Sequence, residues 1–416
     1  MTELKPTLTM LRGTGLMLNI VVGAGLLALP GLTVAMAGDQ ALWAWLVCII
    51  AAIPLLLVFV ILGGRHPDAG GIAHFVRLAF GEAGYVAASL IFLGAVTFGL
   101  PAIALTAGHY ITAITGGAPA VIAAAIVILA ALGLTASPDM AARLSTIIAS
   151  TILIVLLAII GVGLAGVDWT IARMTVTPLA EISLSVVLAP FMMIFFAFTG
   201  WEVASGLSEE FRNPKRDFPR AMLLSFAIAS LLYMAMAFLA QTAPDITSHE
   251  AVFVDILGAT LGAAGGIFVA VIATLVITAN LMGAIWAVSR MVFALSREGH
   301  LFVSLNLNAA GAPVSSVVLT SLVILLVLAS DSMDLLNIEG MLAIAGQNFF
   351  ILYGLAGFTL FRHARHRRDR IVAALAILIV VGLLLAEGLS SLLYPAMLTL
   401  LGIAGWSFRQ RASTAE

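Results

Sequence analysis

Twelve long apolar runs, separated by short polar connections, fill almost the whole chain. They cover residues 11–37, 41–63, 84–114, 118–136, 142–165, 184–208, 220–241, 264–293, 314–330, 339–361, 371–387 and 389–408. A bilayer crossing needs about 20 mostly apolar residues, and inside lipid an α-helix satisfies its own backbone polar groups. The runs therefore predict an all-α membrane protein with twelve transmembrane helices, named here spans 1 to 12.

The composition leaves little material for a soluble domain. Hydrophobic residues make up 62% of the sequence and charged residues only 10%, whereas soluble domains carry about 25% charged residues. The single cysteine, Cys48, lies inside an apolar run, so neither an internal disulfide nor a cysteine-based metal cluster is expected. The first run follows Lys5 and Arg12 like a signal peptide, but it lacks a small-residue cleavage site and is interpreted as a retained helix.

The positive charges lie almost entirely on one side of the twelve spans. Eighteen of the 19 Lys and Arg residues fall on the side that carries both termini, and only Arg173 falls on the other side. Because Lys and Arg are retained on the cytoplasmic side, this asymmetry predicts a bacterial inner-membrane protein with both termini in the cytoplasm. The basic run from Arg362 to Arg370 is interpreted as a topology anchor, so no nucleic-acid partner is expected.

Spans 1 and 6 each carry flexible residues near their middle. Span 1 contains VGAG at 22–25, and span 6 contains FTGWE at 198–202. Close helix packing is the alternative use of membrane glycines. The two clusters, however, occupy matching positions in two five-helix blocks, 11–165 and 184–361, and paired interruptions of this kind indicate discontinuous helices around a binding site between inverted repeats. The last two spans, 371–408, are then additional helices.

Interrupted helices have chemistry at their broken ends. Half-helix amino ends present free N–H groups to an anion such as a carboxylate, while unwound carbonyls accept hydrogen bonds from an ammonium. One pair of interruptions can therefore hold both ends of a zwitterion. An α-amino acid is the simplest solute with that charge pattern, so the sequence predicts a carrier of a small-molecule amino-acid substrate.

Several stretches resemble the amino acid–polyamine–organocation family of transporters. VVGAGLLALP at 21–30 is similar to the first helix of that family, HPDAGGIAHFV at 66–76 to its loop after helix 2, and FFAFTGWEVASGLSEEFRNPKRDFPR at 195–220 to its helix 6 signature. Within the family, residues 42–45 and 66–80 look most like bacterial exporters of methionine and branched-chain amino acids. The resemblance implies a five-plus-five inverted-repeat fold with two extra helices and alternating access.

The resemblance also implies which residues bind substrate. The backbone around Val22, Gly23, Ala24 and Gly25 is expected to face the carboxylate, and the carbonyls around Phe195, Phe198, Thr199 and Gly200 are expected to face the ammonium. Ala24 stands where the family usually has serine, so carboxylate recognition relies more on backbone N–H groups. Phe195, Phe198 and Trp201 are expected to close the pocket by stacking, with packing inside the helix as the alternative.

Glu202 is the sharpest candidate for proton coupling. An ionisable side chain at this depth is costly and usually functional. The alternative is that its carboxylate only caps the amino end of the second half-helix. Proton coupling or exchange is favoured over sodium coupling, because the hydroxyl groups of span 8 are too scattered to form an oxygen cage. No metal and no other cofactor is expected.

Three amides and one charged loop complete the candidates. Asn280 in span 8 is expected either in the pocket or in hydrogen bonds between helices. Gln347 and Asn348 in span 10 are expected to pack or gate rather than to touch the ligand. The charged residues within 209–217, after span 6, form either an inner gate of ion pairs or a solvated loop.

Other function classes fit the sequence less well. A channel needs a continuous polar path, which these apolar helices do not obviously provide. A membrane enzyme would need a catalytic motif, and none of the common metal, nucleophile or phosphate motifs is present. The predicted function is therefore efflux or exchange of neutral apolar L-amino acids (methionine, leucine, isoleucine and valine) with import of amines or other small amino acids as the alternative. The protein is expected to be a monomer or a homodimer.

Overall fold

The computed structural model describes residues 8–23, 25–67, 71–136, 138–169, 175–243, 245–301, 305, 314–388 and 392–413, and this part of the chain is almost entirely helical. Its α-helices are α1 (Met10–Val21), α2 (Gly25–Ala37), α3 (Ala41–Arg65), α4 (Gly71–Thr115), α5 (Pro119–Ala136), α6 (Pro138–Gly166), α7 (Leu184–Leu188), α8 (Phe191–Ala197), α9 (Trp201–Ala204), α10 (Pro214–Gln241), α11 (Val252–Leu261), α12 (Ala263–Arg297), α13 (Val314–Ser332), α14 (Ile338–Arg362), α15 (Arg367–Glu387) and α16 (Leu393–Ser413). Every predicted span coincides with one or more of them.

The helices have the length and apolar character that a membrane requires. Within the described residues, eight helical segments are long and apolar enough to cross a bilayer. This confirms a multi-pass helical membrane protein. The count of twelve crossings stays a prediction.

Span 1 is interrupted where the sequence predicted. α1 ends at Val21. Val22 is no longer helical, with φ −77° and ψ 80°, and α2 begins at Gly25. The Gly23 N–H turns back to the Val21 carbonyl at 2.9 Å, which ends the helical hydrogen-bond ladder. Ala24, between the two helices, lies outside the described residues.

Span 6 is also interrupted, directly after α8, a helix of seven residues. The N–H groups of Phe198 and Thr199 bond to the carbonyls of Phe195 and Phe196 at 2.8 and 3.2 Å, which tightens the last turn of α8. Gly200 then adopts φ 103°, a conformation that favours glycine, and α9 begins at Trp201. A tighter 3-10 helix, Ser205–Glu210, continues from α9. Both predicted discontinuities are therefore present.

Two further breaks extend the similarity between the halves of the chain. Inside α4, Gly81 has φ 67° and ψ −160°, so residues 71–80 form a short helix ahead of the long one. Between α11 and α12, Gly262 has φ 74° and ψ −173°. The long helices after these breaks begin within two residues of the predicted starts of spans 3 and 8, at 84 and 264. The two short helices ahead of them were not predicted, because they are too brief to form membrane runs.

One end of the bundle gathers the basic residues. Arg65 at the end of α3 makes a two-point ion pair with Asp369 of α15 at 2.6 and 3.0 Å. The Arg362 guanidinium donates to the Ala79 carbonyl at 2.7 Å. Leu8 exchanges backbone hydrogen bonds with Glu210 and Arg212, which ties the chain ahead of α1 to the loop after α9. We call this end of the bundle the basic end.

The opposite end is closed over the interruptions. The Tyr110 hydroxyl of α4 donates to the Leu27 carbonyl of α2 at 2.9 Å. Gly31 packs directly against the His249 carbonyl, in the short 3-10 helix that precedes α11. The Gln241 amide bridges the Asp39 carbonyl and the Leu42 N–H at 2.9 and 2.8 Å. These contacts seal the bundle on the side away from the basic end.

Candidate substrate-binding site

The two interrupted spans enclose a cavity. Its volume is about 340 Å³, within the range of small-molecule sites. Its walls come from α1, α2, α4, α8, α9, α10, α12 and α14, and include Asn19, Gly23, Gly25, Phe92, Val96, Gly99, Leu100, Phe196, Thr199, Gly200, Glu202, Tyr233, Asn280, Val288 and Phe349. Most of this surface is apolar, and its polar groups concentrate at the two breaks.

The carboxyl ends of the first half-helices meet beside this cavity. The Tyr233 hydroxyl of α10 lies 2.7 Å from the Ala197 carbonyl of α8 and 3.2 Å from the Val21 carbonyl of α1. The one hydroxyl proton is shared between the two carbonyls, and the Val21 carbonyl also accepts the Gly23 N–H at 2.9 Å. Both helix ends also carry a partial negative charge. This corner of the site is therefore suited to an ammonium group.

The amino ends of the second half-helices are not equivalent. At α9 the carboxylate of Glu202 accepts the Gly200 N–H with both oxygens, at 2.9 and 2.8 Å. The protein thus supplies its own anion at that helix end. The start of α2 at Gly25 also lines the cavity, and the unpaired N–H groups of a first helical turn attract an anion. A substrate carboxylate is therefore expected at α2 rather than at α9.

Glu202 is buried and held from two sides. The residue is only 3% exposed. Besides the Gly200 N–H, it accepts a hydrogen bond from the Tyr353 hydroxyl of α14 at 2.6 Å. The capping interaction that the sequence left as an alternative is present, and the same carboxylate also borders the cavity. Glu202 therefore caps the helix and borders the cavity at the same time.

Asn280 lies directly over the first break. A Cβ atom placed on Gly23 would be 3.5 Å from its amide nitrogen and 3.6 Å from its amide oxygen. A methyl group at this position would therefore be in ordinary van der Waals contact with the carboxamide. Asn280 borders the cavity, and Asn19 of α1, which the sequence analysis did not select, adds a second carboxamide to the lining.

The structure brings together most, but not all, of the residues expected in the site. The cavity is lined by Gly23, Gly25, Thr199, Gly200, Glu202 and Asn280. Val22, Phe195, Phe198 and Trp201 are described but do not line it, since their side chains are buried in the surrounding core. The predicted carboxylate contact at Ala24 falls on a residue outside the described ones.

The aromatic rings at the cavity are not the predicted ones. Phe195 packs on Tyr353 with ring centroids 5.3 Å apart, and Phe198 packs edge-on against Tyr233 at 5.0 Å. Trp201 lies 6.0 Å from Phe226. The ring that faces the cavity from α8 is Phe196, joined by Phe92 and Phe349. Successive helical residues point about 100° apart, so Phe196 faces a different direction from Phe195.

Two sets of predicted polar residues lie outside the cavity. Gln347 and Asn348 are buried in α14, and the Asn348 amide donates to the Ile344 carbonyl one turn earlier at 2.8 Å. In the charged loop, Arg216 and Asp217 come no closer than 4.0 Å. Among the residues described, no cluster of three His, Cys, Asp or Glu side chains is arranged to hold a metal ion.

Replacing Tyr233 with phenylalanine is expected to weaken substrate binding. The change removes the hydroxyl placed between the Val21 and Ala197 carbonyls and loosens both broken ends. A hydrogen bond of this kind contributes about 1 kcal/mol, so the KM for substrate should rise roughly fivefold to tenfold.

Tyr394→Phe is the matched control for Tyr233→Phe. Its hydroxyl also faces a carbonyl, that of Gly94 at 3.4 Å, but on α16, away from the cavity. Initial rates in proteoliposomes over a range of substrate concentrations give the comparison. Equal KM values for Tyr233→Phe and Tyr394→Phe would contradict the role assigned to Tyr233.

Comparison with known proteins shows the family of this chain. The family model described as "Amino acid permease" matches residues 8–406. The chain is 33% identical over 304 residues to the uncharacterized amino acid permease YecA of Bacillus subtilis (strain 168), covering 72% of this chain and 71% of that protein. It is 35% identical over 241 residues to the L-methionine/branched-chain amino acid exporter YjeH of Escherichia coli (strain K12), covering 56% of each chain. It is 25% identical over 359 residues to the mouse large neutral amino acids transporter small subunit 2, covering 81% of this chain and 67% of that protein.

Proposed function

Because this chain belongs to the amino acid permease family, whose members are multi-pass transporters rather than enzymes, we propose that it exports or exchanges neutral apolar L-amino acids by alternating access. The observation that carries the proposal is the cavity between the two interrupted spans, with a negative corner at Tyr233 and the amino end of α2 at Gly25. An amino acid carries the two matching charges on one carbon atom. The exporter of methionine and branched-chain amino acids among its relatives supports the same class of substrate.

The apolar walls support a neutral side chain. Apart from the two breaks, the cavity is bounded mainly by groups such as Phe92, Val96, Leu100, Phe196 and Phe349. Glu202 is the carboxylate that borders it, and that group is already engaged by Gly200 and Tyr353. A cationic side chain would have to be desolvated without a free counter-charge, which is unfavourable.

The pseudo-symmetric breaks support an inverted-repeat architecture. Gly23–Gly25 and Phe198–Gly200 interrupt the first helix of each block, and Gly81 and Gly262 precede the third with nearly equal backbone angles. We propose the blocks 11–165 and 184–361 as the two repeats, with 371–408 as additional helices. The cavity is closed opposite the basic end, so we assign the structure to a state that faces the cytoplasm, with both termini on that side of the membrane.

Substrate analogues that lack one charge test the zwitterion site. Leucine, 4-methylpentanoate and 3-methylbutylamine share one hydrocarbon skeleton, but the acid lacks the ammonium and the amine lacks the carboxylate. Thermal stabilisation of the purified protein should be observed with L-leucine at concentrations at least about tenfold lower than with either analogue, because each lost charged hydrogen bond contributes about 1.5–3 kcal/mol. Equal stabilisation by the amine would instead favour the alternative, an importer of amines.

We further propose that Glu202 exchanges a proton during the cycle. Its burial beside the cavity and its hydrogen bond from Tyr353 place an ionisable group where opening of the bundle changes its access to water. Neutralising it as Glu202→Gln should therefore remove the pH dependence of transport in proteoliposomes while leaving substrate binding largely intact.

Glu387→Gln serves as the control for Glu202→Gln. Glu387 ends α15 and lies outside the cavity, so the pH profile of this variant should match that of the unmodified protein. An unchanged pH profile in Glu202→Gln would exclude the coupling role and leave Glu202 with its capping function alone.

A further inference from the structure

A second cavity opens beside the first, between α4, α12 and α13. Its volume is about 190 Å³, and it is almost entirely apolar. Its walls include Val96 and Leu100 of α4, Val288 and Val292 of α12, and Thr320 and Val323 of α13. We call this cavity the side pocket. No residue of the two interruptions lines it, so the arguments for the zwitterion site do not account for it.

The side pocket adjoins the main cavity, because Val96, Leu100 and Val288 line both. These shared residues are also close to the expected position of the substrate carboxylate. A Cβ placed on Gly25 would lie 3.5 Å from one edge of the Phe196 ring, and a Cβ placed on Gly99 would lie 2.8 Å from another. Since Leu100 follows Gly99, the boundary of the side pocket is separated from Gly25 by about the width of one aromatic ring.

We propose that the side pocket receives the side chain of the transported amino acid and selects long apolar side chains over short ones. The proposal rests on the proposed function, because it requires the backbone of the substrate to be held at the two breaks. A side chain of three or four heavy atoms in a row extends past the Phe196 ring into the side pocket. The methyl group of alanine is too short to enter it, so alanine gains nothing from this apolar volume.

Filling the side pocket tests its role. Val323→Phe adds a ring to a residue that lines the side pocket but not the main cavity. Counterflow in proteoliposomes with L-leucine, L-methionine and L-alanine should show KM values about tenfold higher or more for leucine and methionine, as expected for a hydrophobic pocket that loses its space. The KM for alanine should change by less than about twofold, because alanine does not reach the obstructed volume.

Val318→Phe is the control for the added ring. Val318 lies on the same helix, but it is 46% exposed and outside the side pocket. This variant should transport all three amino acids with the KM values of the unmodified protein. Thermal stabilisation by L-alanine shows that Val323→Phe is folded and keeps its zwitterion site.

The outcomes separate this proposal from the proposed function. If the unmodified protein neither binds nor transports any amino acid, the proposed function fails. If it transports leucine and Val323→Phe leaves the KM for leucine unchanged, the side pocket holds something else, such as a lipid chain, and the present proposal is overturned. An equal loss of leucine and alanine transport in Val323→Phe would also overturn it, because the effect would not depend on side-chain length.

Discussion

Replacing Gly200 with alanine is expected to leave a folded protein but to lower the rate of transport by about tenfold to a hundredfold. This range follows from the cost of a strained backbone conformation, which is about 1–3 kcal/mol. Gly200 has φ 103°, which side-chain-bearing residues rarely adopt. A Cβ at this position would also lie 3.2 Å from Cγ2 of Val21 and 3.4 Å from Cγ2 of Ile20. The methyl group therefore strains one break and pushes against the other.

The matched control for Gly200→Ala is Gly117→Ala. Gly117, between α4 and α5, has the same φ of 103°, but no atom of the described residues lies within 4 Å of a Cβ placed there. It carries the backbone strain without the contact between the two interruptions. Rates of counterflow and melting temperatures of both variants give the comparison. Equal transport in the two variants would show that the contact of Gly200 with α1 has no role.

Replacing Gly346 with alanine is expected to destabilise the fold itself. Gly346 of α14 packs directly against the Met192 carbonyl of α8, and a Cβ there would also be 3.4 Å from the Phe196 N–H nitrogen. Backbone atoms cannot swing aside as a flexible side chain can. Overpacking of this kind costs about 1–3 kcal/mol and occasionally more. The melting temperature should fall markedly, and transport should be lost because α8 carries Phe196 and the second break.

Gly161→Ala is the same substitution at a position where no loss of stability is expected. Gly161 is exposed within α6, and in the part of the chain that the structure describes no atom lies within 4 Å of a Cβ placed there. Alanine favours a helix over glycine by about 1 kcal/mol, so this variant should be as stable as the unmodified protein or more stable. Melting curves in detergent test the pair. A Gly346→Ala protein as stable as Gly161→Ala would contradict the tight packing of α14 on α8.

The interruptions were predictable because their cause is local. Glycine clusters at matching positions inside two long apolar runs favour a break over close helix packing, and Gly23, Gly25 and Gly200 mark both breaks in the amino-acid sequence itself. The capping of α9 by Glu202, which the sequence offered as the alternative to proton coupling, is local as well, since a carboxylate two residues after a break has one obvious set of N–H groups within reach. In both cases the relevant atoms lie within a few residues along the chain.

The choice of the cavity-facing ring was not predictable in the same way. Phe195, Phe196 and Phe198 have the same side chain, and α8 is too short and too uniformly apolar to show a polar face. Which ring faces the cavity depends on how α14 packs against α8, through contacts such as Gly346 with Met192. The stacking role expected for Phe195 and Phe198 accordingly has no counterpart in their positions.

Tyr233 and Tyr353 were missed for a related reason. Each lies in a long apolar helix, where a tyrosine is usually a packing residue with one polar atom. Their hydroxyls become part of the site only because α10 and α14 place them at the broken ends, where they meet Val21, Ala197 and Glu202. The residue type could have indicated this role, because a buried phenol requires a hydrogen-bond partner and the broken helix ends supply carbonyls.

Counterflow of L-leucine through the purified, reconstituted protein tests the central claim most directly. Liposomes loaded with unlabelled L-leucine are diluted into a trace of radiolabelled L-leucine. An alternating-access carrier with a zwitterion site predicts transient, saturable accumulation of label that excess L-methionine blocks and that D-leucine and putrescine leave unchanged. Uptake that rises linearly with concentration and does not respond to internal leucine would contradict the account.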